Sequence, residues 1–196
     1  MRARLGLSER LTRRLYVWPL LALPALYIAF QWTADQLSYG ETIHLTGQWS
    51  VGLLCAVLLT SPIKHLFPRW LGSRLLLRHR RAIGVASFGY ALLHTVIYLV
   101  KKWPAGLVLQ EGLDPSLLTG WIAFLLFLAL AVSSNNISVK KLGRHWKTLH
   151  RSVYIAAAVT FTHWALTSFN PSTAMAIAIT LCLVELTRIR RKKTNS

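Results

Sequence analysis

Seven histidines are present, and three lie where a solvated imidazole is not expected. His94 falls inside an apolar run, thirteen residues after Arg81. His163 falls inside another, thirteen residues after His150, with almost nothing charged between Arg151 and itself. An ionisable or ligating group at membrane depth is costly, so it is read first as functional. A single histidine in a helix bundle is more often a hydrogen-bonded core residue than a ligand. Two histidines on separate apolar runs at matching depth shift that balance toward a shared ligand.

Haem suits this pair better than the other ligands. Imidazole is a common axial ligand of haem iron, and bundle cofactors are held from facing helices. Zinc would want four donors, and no cysteine or carboxylate falls near. Copper(I) would favour sulfur, but Met175, Cys55 and Cys182 fall on other runs. A proton relay would recruit carboxylates, and only Glu185 lies in or near a span. Bis-histidine ligation closes the iron to oxygen and fits electron transfer.

The other histidines are less defined. His150 is separated from His163 by roughly 20 Å and about 220° on an ideal helix, which counts against one shared ligand. His79 stands fifteen residues before His94, about 60° round the same helix if it extends that far. His79 then has two readings: partner of His150 for a second, inner haem, or a solvated histidine among Arg78, Arg80 and Arg81. His44 opens the second span within IHLTG, where headgroups, an outer haem or a partner protein are all open to it. His65 and His145 sit in basic loops and receive no role.

The elements that must position these residues are apolar runs. The 196 residues favour one domain. Hydrophobic residues make up 54% of the chain, and the mean hydropathy of +0.42 indicates a membrane protein. Runs at 15–32, 45–63, 82–100, 117–132, 149–169 and 172–186 are close to the roughly 20 residues that cross a hydrocarbon core. Pro19 and Pro24 are expected to kink the first. The loop 64–81 is expected to be non-helical, broken by Pro62, Pro68 and Gly72. The two cysteines read as core hydrophobes, without a disulfide. No internal repeat is seen.

The net charge of +17 does not indicate nucleic acid, because it is segregated. Twenty-one of 23 Lys and Arg fall in 2–14, 64–81, 140–151 and 188–193, while Lys101 and Lys102 alone fall in the alternate loops. The positive-inside rule then places both termini in the cytoplasm. The expected fold is an all-α integral membrane protein, a six-helix transmembrane bundle over 15–187 with basic cytoplasmic ends at 1–14 and 188–196. His94 and His163 then lie in the outer half and His150 near the inner face. Trp32, Trp103, Trp121 and Trp146 fall near span ends and suit an interfacial belt.

HLTG from His44, LLTSP ending at Pro62, RRAIG from Arg80, the LLH of His94, KLGRHWKTLHRSVY and the later His163 together resemble the MsrQ (YedZ) family. These haem-bearing bacterial membrane subunits are similar to the transmembrane domain of ferric reductases. The likeness covers most of 44–164, and KLGRHWKTLH is its most specific part. It implies b-type haem, one or two, held by His94, His150 and His163. It also implies electron delivery to a periplasmic molybdenum-cofactor methionine sulfoxide reductase that repairs oxidised proteins, and an inner-membrane location. The source would be membrane quinol or a separate flavin reductase, and FMN is associated with the family. Related oxidases carry a second histidine on the third span, where this chain offers Arg80 and Arg81.

No GxGxxG follows a strand, so the expectation is a relay that takes electrons from another molecule and hands them to another protein. Two other readings compete. One is a ferric or other metal reductase built on the same core. The other is a non-redox transporter or assembly factor that uses its histidines for packing.

Overall fold

In the computed structural model the described residues are 2–194 for the backbone and 16–186 for the side chains. The side chains of the two terminal basic clusters, 2–14 and 188–193, lie outside the described residues. Helices account for almost all of the described chain: α1 Arg2–Thr33, α2 Tyr39–Leu66, α3 Leu71–Lys102, α4 Leu107–Glu111, α5 Pro115–Val132, α6 Asn136–Leu142, α7 Arg144–Arg151, α8 Val153–Thr167 and α9 Pro171–Thr194. No strand occurs among the described residues. Three of these helices, α2, α3 and α5, are long and apolar enough to cross a membrane, and the apolar part of α9, Pro171–Leu186, is shorter.

The helix boundaries differ from the apolar runs where local chemistry extends a helix beyond its hydrophobic stretch. α2 begins at a capping box. Ser38 Oγ accepts from the Glu41 N–H at 3.3 Å, and Glu41 Oε2 accepts from the Ser38 N–H at 2.9 Å. Two of the orphan donors of the first turn are thereby satisfied. Pro62, expected to break a helix, is buried within α2. Packing inside a bundle compensates for the missing N–H. The expected loop 64–81 contracts to the four residues between α2 and α3. Ser73 Oγ donates back to Phe67 O and Trp70 O, at 3.0 and 2.8 Å, and ties that turn to the first turn of α3. Leu and Arg, which dominate 71–81, are good helix formers. Pro19 and Pro24 likewise lie within α1.

The polar segment after α5 is also helical. Asn135 caps α6 through its side chain, which accepts from the Ser138 N–H at 2.7 Å. Gly143, at φ +50°, separates α6 from α7. The expected fifth span is interrupted at Ser152, whose hydroxyl donates to Leu149 O at 2.7 Å. Serine bonds of this kind compete with the helical ladder. α7 and α8 are therefore separate helices, and His150 and His163 do not share one ideal helix.

The most extensive helix pairings are α2 with α3 and α5 with α8. Leu54 and Leu58 of α2, Phe127 of α5, and Ala156 and Ala157 of α8 form the buried core, with Phe88 and Ala91 of α3 against it. α1 packs on α2 and α3, and α9 on α2 and α8. Where α2 crosses α3, Ser50 Oγ donates to Ser87 O at 3.0 Å and Ser87 Oγ donates to Ser50 O at 2.8 Å. Small residues with such bonds allow close helix approach in lipid. Cys55 is half-buried and Cys182 exposed, so only the first fits the expected core position; both are free thiols.

The serine crossing predicts a specific cost. Ser87→Leu should overpack it and destabilise the protein by about 1–3 kcal/mol. A lower melting temperature in detergent would register this, and an unchanged melt would contradict a tight crossing.

Candidate functional site

His94 on α3 and His163 on α8 come together although they are 69 residues apart in sequence. Their ring centroids are 6.4 Å apart and their planes are nearly perpendicular, at 87°. Each ring is tied to the backbone of a neighbouring helix. His94 Nδ1 donates to Ile43 O of α2 at 2.9 Å, with Thr46 Oγ1 at 3.4 Å. His163 Nδ1 donates to Ser116 O of α5 at 2.6 Å. A proton on Nδ1 leaves the Nε2 lone pair as the ligating one in both rings. The hydroxyls of Thr95 and Thr162 do not take this role. Each donates to its own helix, at Ala91 O and Ala158 O.

Glycine allows both rings to approach. A Cβ on Gly47 would stand 3.4 Å from the His94 ring, and one on Gly120 would stand 2.8 Å from His163 Cε1. One helical turn beyond His94, Tyr98 is buried and its hydroxyl has no hydrogen-bond partner among the described residues. Leaving such a group unpaired is costly, which makes it available to a polar edge of a bound molecule.

These features fit haem. Two metal–imidazole bonds of about 2 Å each, with the ring radii added, span roughly 6 Å. Both imidazoles are oriented by a backbone carbonyl of another helix, as a ligating histidine requires. Among the described residues no three His, Cys, Asp or Glu side chains gather in one place. The protein offers two ligands here, the number that a six-coordinate porphyrin iron needs.

His150 lies in a second region. Its ring stacks on Trp146, with centroids 4.1 Å apart, and its Nε2 lies 3.1 Å from Ser133 Oγ. Ser133 Oγ itself donates to Ala129 O at 2.7 Å. Ser133 Oγ thus links His150 Nε2 to the α5 backbone. Here the ring is held at Nε2, whereas the rings of His94 and His163 are held at Nδ1. Arg81 lies over Trp146, 5.5 Å from the ring centroid, and donates to Asn136 Oδ1 at 2.9 Å. Trp146 Nε1 donates to Ser133 O at 2.9 Å, which fixes the ring beside His150.

A cavity of about 600 Å³ opens beside His150. Leu54, Leu58, Phe127 and Leu130 form its apolar wall, and Arg80, Arg81, Lys147 and Arg151 bring positive charge to it. His79 is not among its lining residues. His44 is exposed and its Nε2 accepts from the Gln48 side-chain amide at 2.9 Å. The backbone acceptors Ile43 and Ser116 and the glycines beside the rings carry no signal of their own in sequence. The Thr-Gly dipeptide in HLTG is the nearest clue.

The ferric reductase like transmembrane component model matches residues 25–161. The chain is 33% identical to proteins named "Protein-methionine-sulfoxide reductase heme-binding subunit MsrQ" from Brucella ovis, Brucella canis and Brucella melitensis. Each alignment covers 96% of this chain and 90% of the relative. No solved structure matches. With its long apolar helices, the chain is a multi-pass membrane protein, and it belongs to the MsrQ family, within the ferric reductase-like transmembrane components.

Proposed function

We propose that this protein is a haem b electron-transfer subunit of the inner membrane. It passes electrons from the quinol pool, or from a separate flavin reductase, to a periplasmic molybdenum-cofactor methionine sulfoxide reductase. The observation that carries this reading is the His94–His163 pair, held 6.4 Å apart by carbonyls of two other helices. The names of the Brucella relatives support the haem and the reductase partner. Six spans over 15–187, with 1–14 and 188–196 in the cytoplasm, follow from the charge pattern.

His94 and His163 would hold the haem iron, each through Nε2, and Ile43 O and Ser116 O keep the imidazoles from rotating or changing tautomer. When bound, haem would supply a one-electron couple. The cavity beside His150 is a candidate for a second haem or for FMN. Haem propionates and a flavin phosphate are anionic groups that Arg80, Arg81, Lys147 and Arg151 are suited to meet. His150 ligates there either through Nδ1 or after giving up its bond to Ser133. His44, exposed on the side assigned to the periplasm, is placed for partner contact.

Three outcomes are expected. Haem-replete protein shows a reducible b-type visible spectrum, and its absence from folded protein would rule out the reading. His94→Ala and His163→Ala each abolish the same spectral species; loss with only one contradicts the pairing. His150→Ala leaves that species in place and lowers the haem-to-protein ratio only if a second haem is present. Reduction of chelated iron with no transfer to a periplasmic reductase would move the assignment to a metal reductase.

A further inference from the structure

We infer that the bundle contains one imidazole-holding device twice, with Thr46–Gly47 and Thr119–Gly120 as its positioning residues. Leu45, Thr46 and Gly47 of α2 recur as Leu118, Thr119 and Gly120 of α5. Thr46 Oγ1 donates to Thr42 O at 2.9 Å and Ile43 O at 3.0 Å. Thr119 Oγ1 donates to Pro115 O at 2.9 Å and Ser116 O at 2.8 Å. In each copy the second of those carbonyls is also the one that takes the histidine Nδ1–H. In each copy the glycine lies against that histidine ring.

The correspondence runs along the partner helices. Three residues after each glycine stand Ser50 and Ala123, both small and buried. Seven residues before each histidine stand Ser87 and Ala156, again small and buried. Seven after each glycine stand Leu54 and Phe127, both in the central core. Thirteen after each glycine stand Thr60 and Ser133, both buried hydroxyl residues. Thirteen before each histidine stand Arg81 and His150, which both stack on Trp146. The two helix pairs concerned are the two most extensive pairings in the fold. Unequal connections hide the repeat from a linear reading. α2 and α3 are joined by a short turn, whereas α6 and α7 intervene between α5 and α8.

The chemistry of the device is simple. A carbonyl oxygen has two lone pairs and accepts two donors. The carbonyl already accepts from its own helix, so the threonine hydroxyl and the imidazole N–H compete for its remaining capacity, and the strength of one bond depends on the other. Glycine brings the ring within reach of that carbonyl. The result is a fixed Nδ1–H tautomer with Nε2 free to ligate. The fit is tighter in the second copy, since a Cβ would meet His163 at 2.8 Å but His94 at 3.4 Å. The function of the seat rests on the haem reading above, whereas its tautomer and ring position do not.

The test is ¹⁵N-histidine NMR of the full chain in lipid nanodiscs, without haem, followed by redox titration after haem loading. His94 and His163 should both carry their proton on Nδ1. Gly120→Ala should displace the His163 resonances strongly, Gly47→Ala should shift those of His94 less, and Gly52→Ala, with open space beside it, should move neither. Thr119→Val, which keeps the side-chain shape, should strengthen the Nδ1–H bond to Ser116 O and lower the midpoint potential. Thr119→Ser should restore it. Protons on Nε2, or a Thr119→Val potential equal to wild type, would overturn the device. If the tautomers are as expected but wild-type protein takes up no haem, the seat stands and the haem reading falls.

Discussion

Everything in this bundle depends on two imidazole N–H groups having somewhere to go inside a low-dielectric interior. A buried donor without an acceptor is expensive, and water is scarce there to serve as one. The acceptors used are Ile43 O and Ser116 O. Helical carbonyls already accept from their own helix, so a second donor must approach from the side. That approach requires a neighbouring helix without a side chain at the point of contact. The glycines at 47 and 120 meet this requirement, and the pairing of α2 with α3 and of α5 with α8 follows from it.

The inner region is built on another principle. His150 is held by a hydroxyl and by stacking on Trp146, and the charge of Arg81 lies over the opposite partner of that stack. Stacked and charge-assisted contacts of this kind belong near an interface, where Arg and Lys keep access to water. The outer pair is thus fixed by backbone geometry and the inner histidine by side chains.

Much of this was legible in the sequence. The all-helical class followed from the apolar runs. The importance of His94 and His163 followed from their equal distance past basic residues, and the structure brings them together. Boundaries were less legible, because capping at Ser38 and Asn135 and helix formation at 71–81 are local effects that hydropathy does not register. The interruption at Ser152 was missed for the same reason. The stacking of Trp146 on His150 was not legible, because a position near a span end carries no sign of which way the ring turns. Gly47 and Gly120 were invisible as functional residues, since their role consists of lacking a side chain.

α8 runs for fifteen residues, about 22 Å at the rise of an α-helix, which is well short of a hydrocarbon core. His163 stands four residues from its final residue, so its Cα lies about 6 Å along the axis from the helix end. The His94–His163 pair therefore lies toward that end of the bundle. Under the electron-transfer role proposed above, a partner docked at that end would face a short tunnelling gap to the pair, with no further carrier needed between them.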